Sequence, residues 1–270
     1  MSTTVVYQSF RTDNVPEWIK TCLNSVQAWA KLKGYDYRFY DDEIFDYAPE
    51  WYRQKVNNQI HLVTDLARLN IAQELLHEGY QHTIWVDADV LIFEPDKLEI
   101  PLDKPFAFCQ EVYIGMNSKR QLTSRSGVNN AIMMMSQGNE LLPFYIDCCK
   151  KLVKRASHLP HTLVGTDFLT QLQQQQPIAH LHNVALFSPY IMHDLASPKP
   201  GNPALNMFCR DFQNPIYAAN LCLTFNTSVL GHKMLPEEAY QKAIGALLAD
   251  RGQGINQRIL AHTNPLSSPA

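Results

Sequence analysis

The 270-residue chain lacks an excess of basic charge: 23 Lys and Arg stand against 26 Asp and Glu, a formal net charge of -3. Domains that bind nucleic acid usually carry a basic surplus, so nucleic acid is not expected as the main partner. No stretch reaches the ~18 consecutive apolar residues that a transmembrane helix requires. Met1-Ser2-Thr3-Thr4-Val5-Val6-Tyr7-Gln8 has no basic start followed by an apolar run, so no secretory signal is expected and the location is read as cytoplasmic. The six cysteines form no Cys-x-x-Cys pair, which points to free, mostly buried thiols in a reducing compartment. His158, His161, His180, His182 and His193 lack the short paired spacing with Cys of a structural zinc site and are read as surface histidines. There is no internal repeat and no clear linker.

What is present is an ordinary globular composition, 46% apolar and 18% charged, in a chain long enough for a large core without staples. We expect a single domain over 1–270. Its first part alternates strand and helix. Thr4–Phe10 reads as a strand. Asn14, Pro16 and Glu17 read as the start of a helix with a capping box, Val15, Ile19, Cys22, Val26 and Trp29 recur at helical spacing, and Gly34 is the stop. Tyr35–Tyr40 alternates as a strand. Thr64 to Glu78 reads as a helix with Leu66, Leu69, Ala72, Leu75 and Leu76 inward, ended by Gly79. Thr83–Val86 is a buried strand running into Asp87-Ala88-Asp89. This β–α–β order predicts an α/β fold with a mostly parallel sheet. Further on, Asn129–Ser136 reads as a strand, and Glu140–Ser157, Asp167–Gln176 and Pro236–Asp250 as helices, the last of these the final long one. Gly115–Gly127 and Ser188–Asn206 read as loops that shape specificity, and Gln173–Gln176 as a helix end.

The chemistry concentrates at Asp87 and Asp89. If the chain stays extended, side chains two residues apart point the same way, at the carboxyl edge where open α/β sheets place ligands. Hard oxygen ligands suit Mg²⁺ or Mn²⁺, with diphosphate oxygens completing the shell. Asp-x-Asp alone is a weak signal, and a solvated turn is the plain alternative. Asp65 and Arg68 share a helical face just upstream, either as an exposed ion pair of little value or as a phosphate-facing Arg.

With these residues in view, the sequence resembles the GT-A fold glycosyltransferases that carry a DXD sugar-binding motif, in particular the capsular-polysaccharide and mannosyltransferase-like group. The resemblance lies in Thr64-Asp65-Leu66-Ala67-Arg68, Gly79 and Asp87-Ala88-Asp89, and upstream in Val5–Phe10, Val15-Pro16-Glu17-Trp18 and Tyr40-Asp41-Asp42-Glu43. It covers residues 4–95 well and is thinner beyond 100. Val128–Met133 is similar to a donor-sugar segment of related galactosyltransferase-like families and maps Asn129 onto a sugar contact, with Ala131 where the family has Gly. Gly165–Leu169 maps Asp167, with Phe168 where the family has Gln.

The resemblance implies a Rossmann-like GT-A fold, with 1–100 as the nucleotide-sugar half and 101–270 as the acceptor side. It also implies transfer from a nucleotide-diphosphate sugar to a saccharide, lipid-linked or protein acceptor, with retention. It assigns Asp87, Asp89 and His232 as metal ligands for Mn²⁺ or Mg²⁺. Donor contacts fall on Tyr7, Gln8, Asp65, Arg68, Asn129 and Lys233, and Asp167 joins Asp87 and Asp89 in the catalytic set. Lys150, Lys151, Lys154 and Arg155 form a basic stripe, read as a solvated face, with docking at the inner membrane surface as the functional account. Two other functions compete. A haloacid-dehalogenase-like phosphatase also follows an apolar strand with Asp-x-Asp, but needs a later Lys and a further acidic pair, and no Asp-Asp pair follows here. A non-catalytic nucleotide-sugar-binding domain would keep the fold without the chemistry.

Overall fold

Val5, Val6 and Tyr7 are wholly buried in β1 (Thr4–Ser9), an interior strand of the main sheet. The computed structural model describes residues 2–57, 59–197, 201–224 and 235–263. After β1, helix α1 (Glu17–Lys33) buries Trp18, Ile19, Cys22, Val26, Trp29 and Ala30 and stops at Gly34, whose φ of 70° suits glycine. The expected capping box is not formed. Asn14 takes a left-handed backbone outside the helix (φ 51°), Pro16 is the cap residue, and the Glu17 N–H donates to Glu237 Oε1 at 3.0 Å instead.

Next come β2 (Asp36–Tyr40), a 3-10 turn (Asp42–Tyr47), α2 (Glu50–Lys55) and α3 (Ile60–His77). Helix α3 begins about a turn before Thr64, because Leu62 and Val63 also enter the core. Strand β3 (His82–Val86) leads through a turn into β4 (Val90–Ile92). Gly115–Gly127, expected as a loop, belongs to a long hairpin of β5 (Phe106–Met116) and β6 (Leu122–Ser136), closed by the Asn117 N–H to Gln121 carbonyl bond of 2.9 Å.

Helices α4 (Leu141–Arg155) and α5 (Thr166–Leu172) follow. Helix α5 ends before the glutamines, which form a turn. After β7 (His180–Leu181) and β8 (Val184–Leu186), the stretch read as a loop contains α6 (Pro189–Ala196) and the start of α7 (Pro203–Asp211). Both helices open on a proline, which is tolerated at a first turn, so proline content alone misled. Strand β9 (Ala218–Asn220), α8 (Glu237–Asp250) and α9 (Gln253–Thr263) complete the described chain, and α9 lies beyond the helix expected to be last.

The main sheet runs β2-β1-β3-β6-β5-β7 and is parallel in three of its five pairings. Side-chain alternation divides it. Tyr7, Trp85 and Met133 face a core built with α3 and α4, while Val6, Ile84, Val86 and Met134 face one built with α1. A smaller sheet, β4-β9-β8, joins α6 to α9 in a further core. The β5–β6 register jumps between Phe108↔Met133 and Cys109↔Asn129, so Asn130, Ala131 and Ile132 bulge away from β5. Bulges re-aim side chains and are frequent beside active sites. All six cysteines are free, and all but Cys148 are buried. Among the described residues no helix is long and apolar enough to cross a membrane.

Candidate functional site

The carboxyl ends of the parallel strands β1, β2 and β3 open on one cavity of about 640 Å³. Ser9, Phe10 and Arg11 reach it after β1, Ile44 and Phe45 after β2, and Asp87 and Asp89 after β3. The Asp-x-Asp segment is not extended. It turns at Ala88, with the Val90 N–H donating to the Asp87 carbonyl at 3.1 Å. The two carboxylates therefore share the cavity through a turn rather than through strand alternation, and different parts of the fold hold them.

Asp87 belongs to the α3 side. Its Oδ1 accepts Trp85 Nε1 at 2.6 Å and Arg68 Nη1 at 3.0 Å, and its N–H donates to the Ala131 carbonyl at 2.7 Å. The bulge in β6 presents that carbonyl. Arg68 is 6% and Asp65 8% exposed at the side chain, so an exposed ion pair is ruled out. The two are ion-paired, Asn130 Nδ2 donates to Asp65 Oδ1 at 3.1 Å, and Arg68 Nη1 also reaches the Asn130 carbonyl at 3.2 Å. Arg68 thus spends its donors on Asp65, Asp87 and a carbonyl, while its guanidinium lies 5.4 Å from the Trp85 ring centre.

Asp89 belongs to the small sheet. Asn220 Nδ2 donates to its Oδ1 at 2.8 Å, and the Leu223 N–H to its Oδ2 at 2.9 Å. Burial and the neighbouring Asp87 charge push the Asp89 carboxyl up to about 7. Burial also raises Asp87, against the opposing pull of Arg68. A cavity that holds two carboxylates against their solvation and mutual repulsion is short of positive charge, the condition a divalent cation relieves. The donor set therefore fits Mg²⁺ or Mn²⁺. Among the described residues, no cluster of three or more His, Cys, Asp or Glu side chains could hold a metal ion. His232 and Lys233 lie outside the described residues.

With this geometry the chain can be set beside known proteins. No family model and no curated protein matches it. Solved structures do. A glycosyltransferase involved in the glycosylation of the major capsid of PBCV-1 is similar with a TM-score of 0.51, at 10% identity over 90% of this chain and 98% of that one. The galactosyltransferase LgtC, in complex with donor and acceptor sugar analogs, aligns with a TM-score of 0.43 at 13% identity, covering 93% of this chain and 99% of that one. Mouse xyloside xylosyltransferase 1 aligns with a TM-score of 0.42 at 10% identity, covering 82% and 97%. The fold is of the GT-A type.

On this GT-A frame the remaining expected residues fall in different places. Tyr7 and Gln8 are wholly buried beneath the cavity rather than on its wall. Tyr7 donates to the Arg68 carbonyl at 2.8 Å, and Gln8 Nε2 to the Asp87 carbonyl at 3.3 Å while its Oε1 accepts from Tyr37. Asn129 lines the cavity. Its Oδ1 accepts the Ala131 N–H at 2.7 Å, and its Nδ2 donates to Glu111 Oε2 at 3.1 Å. Asp167 lines an adjoining cavity instead, where its Oδ2 accepts Thr162 Oγ1 at 2.6 Å. That bond is to a side chain, and Gly165 is the helix cap residue, so Asp167 is no mere cap.

Sequence reasoning missed Asn220 and Glu111. Asn220 holds Asp89 from 131 positions away, and no local pattern announces it. Glu111 is buried on β5, in a strand that was not anticipated, and burial raises its carboxyl. It supplies a carboxylate outside the Asp87–Asp89 pair besides Asp167, which sequence reasoning had left as the sole such group with motif support.

Proposed function

We propose that the protein is a metal-dependent glycosyltransferase that moves a sugar from a nucleotide-diphosphate sugar to an acceptor, with retention. One observation carries this reading. Asp87 and Asp89, held by two different sheets, meet in one cavity at the carboxyl ends of three parallel strands, with Asn129 on the same wall. Residues 1–100 then supply most of the nucleotide-sugar half and 101–270 the acceptor side. Asp87 and Asp89 would hold Mn²⁺ or Mg²⁺, with His232 as the third protein ligand that the resemblance assigns. The ion, when bound, offsets charge on the departing diphosphate.

The chain's own groups do the rest. Arg68 and Trp85 fix the Asp87 carboxylate, and Asp65 and Asn130 fix Arg68 in turn. Tyr7 and Gln8 brace that arrangement from below. Asn129 orients the sugar through its hydroxyls, and Asp167 does so from the adjoining cavity. Lys233 is assigned to the diphosphate by the resemblance alone. The leaving phosphate takes the acceptor proton on the face it departs from. The protein works in the cytoplasm, with the Lys150, Lys151, Lys154 and Arg155 stripe of α4 as a solvated face and docking at the inner membrane surface as its alternative use. The phosphatase alternative gains no support, since the solved structure of like fold is a glycosyltransferase.

The test is turnover of a panel of UDP- and GDP-sugars with and without Mn²⁺. Release of nucleoside diphosphate that needs the metal and is lost in Asp89→Ala is the expected result. Release of inorganic phosphate would instead indicate a phosphatase, and donor affinity without turnover a binding domain.

A further inference from the structure

A second cavity, of about 860 Å³, adjoins the first, and both are lined by Glu111, Arg125 and Thr166. Its volume is in the ~300–1,000 Å³ range of sites that enclose ligands of several rings. It runs along α5 and the turn after it, so the glutamine-rich segment singled out in the sequence now has a place. Gln171, Gln174 and Gln175 are exposed and line this cavity, and no protein group among the described residues hydrogen-bonds their side-chain amides. The turn after α5 is closed by the Gln174 N–H to Gln171 carbonyl bond of 3.1 Å and the Gln175 N–H to Leu172 carbonyl bond of 2.9 Å. The same lining carries the apolar side chains of Leu152, Leu163 and Phe168.

The chemistry of this lining is selective. Amides donate and accept, as sugar hydroxyls do, and an apolar wall suits the C–H face of a sugar ring. Its charged groups are Glu111, Asp167 and Arg125, two carboxylates against one guanidinium, and Arg125 is already engaged by Glu111 at 3.8 Å and by the Tyr113 ring at 5.5 Å. An anionic chain would meet uncompensated negative charge there.

We infer that this groove is the acceptor subsite and that it takes a neutral oligosaccharide, whose end reaches the first cavity past Glu111. The inference deepens the glycosyltransferase reading and rests on it. Glu111 has a positioning role at the junction: Oε2 holds Asn129 on the donor side and Oε1 faces Arg125 on the groove side.

The experiment uses the full chain and two separately read arms. In the first, maltohexaose, cellohexaose, chitohexaose and the anionic hexagalacturonate are titrated and binding is followed by ligand-observed NMR. At least one neutral hexamer binds and hexagalacturonate does not. Gln171→Ala/Gln174→Ala, at exposed positions, weakens the neutral ligand at least tenfold. Gln174→Lys/Gln175→Lys, which adds positive charge to the same wall, admits hexagalacturonate. Preference of the unmodified protein for hexagalacturonate, absence of binding by every neutral hexamer, or indifference of binding to both double variants would overturn the inference. In the second arm, UDP and GDP are titrated with Mn²⁺. Their failure to bind counts against the glycosyltransferase reading itself, whereas nucleotide binding with a failed first arm removes only the groove assignment.

Discussion

Arg68 on α3 donates to Asp87 Oδ1 across 3.0 Å, so a helix residue nineteen positions upstream holds the first carboxylate of the motif in place. The same guanidinium pairs with Asp65, and both side chains are more than nine-tenths buried at the cavity wall.

Arg68→Ala is therefore expected to strand two carboxylates rather than trim a surface contact. Removing one member of a buried ion pair costs ~3–5 kcal/mol, against ~0–1 kcal/mol for an exposed pair. Urea denaturation measures the difference, and nucleotide-sugar affinity should fall with it because Asp87 loses its orientation. A loss below about 1 kcal/mol would mean that the pair is solvated in solution.

Asp89→Ala removes the acceptor for the Leu223 N–H and Asn220 and, on the proposed function, one of the carboxylates that would hold the metal. Calorimetry of nucleoside diphosphate with and without Mn²⁺ should show that the metal-dependent part of the affinity disappears. Equal affinity in the two conditions for the unmodified protein would remove Asp89 as a ligand.

Gly165 touches the buried pair from the α5 side. A Cβ there would lie 2.9 Å from Asp65 Oδ2 and 3.1 Å from Asn130 Nδ2. Gly165→Ala should displace the Asp65–Asn130–Arg68 arrangement at ~1–3 kcal/mol, typical of an over-packed interior. It should lower donor affinity more than Gly245→Ala, where a Cβ meets nothing within 4 Å. Thermal melts and nucleotide titration of both variants decide this.

Glu111 carries a pH signature. Its burial raises the carboxyl above the usual range, so the folded protein keeps the proton to a higher pH than the unfolded chain does. The associated stability is complete below the unfolded value of ~4.3 and is lost as pH rises through the folded one. Glu111→Gln should thus gain stability relative to the unmodified protein over the interval from about pH 4 upward. A difference in melting temperature that stays constant over that interval would contradict the assignment.

Proton NMR of the fresh product from an α-linked donor should show an α-linkage if, as proposed, the leaving phosphate takes the acceptor proton on its own face. A β-linked product would mean inversion and make Glu111 and Asp167 the carboxylates to test as bases. Asp167→Asn should lower turnover clearly, since its side chain serves no backbone cap.

Much of the first half was legible in the sequence. The apolar strands around Tyr7 and Trp85 and the helix carrying Asp65 and Arg68 follow from short-range periodicity, and all of them formed. The helix start at Pro16 and the turn at Ala88 did not follow, because the Glu17 N–H found a partner 220 positions away and the motif leaves its strand early. The later helices opening on Pro189 and Pro203 were hidden by a composition that also suits loops.

What the sequence by itself determined is the identity and order of the site's chemical groups: a buried strand ending in Asp87 and Asp89, a cation one helix upstream, and Asn129 on a later apolar strand. Only the tertiary structure decided which of them meet. Asn220 reaches Asp89 through the β4–β9 pairing, the bulge at Asn130–Ile132 turns backbone carbonyls toward Arg68 and Asp87, and Glu111 is buried at the junction of two cavities. The physical reason is that periodicity encodes which face of an element is apolar. The pairing of distant strands, which sets these contacts, depends on the register and packing of the whole fold.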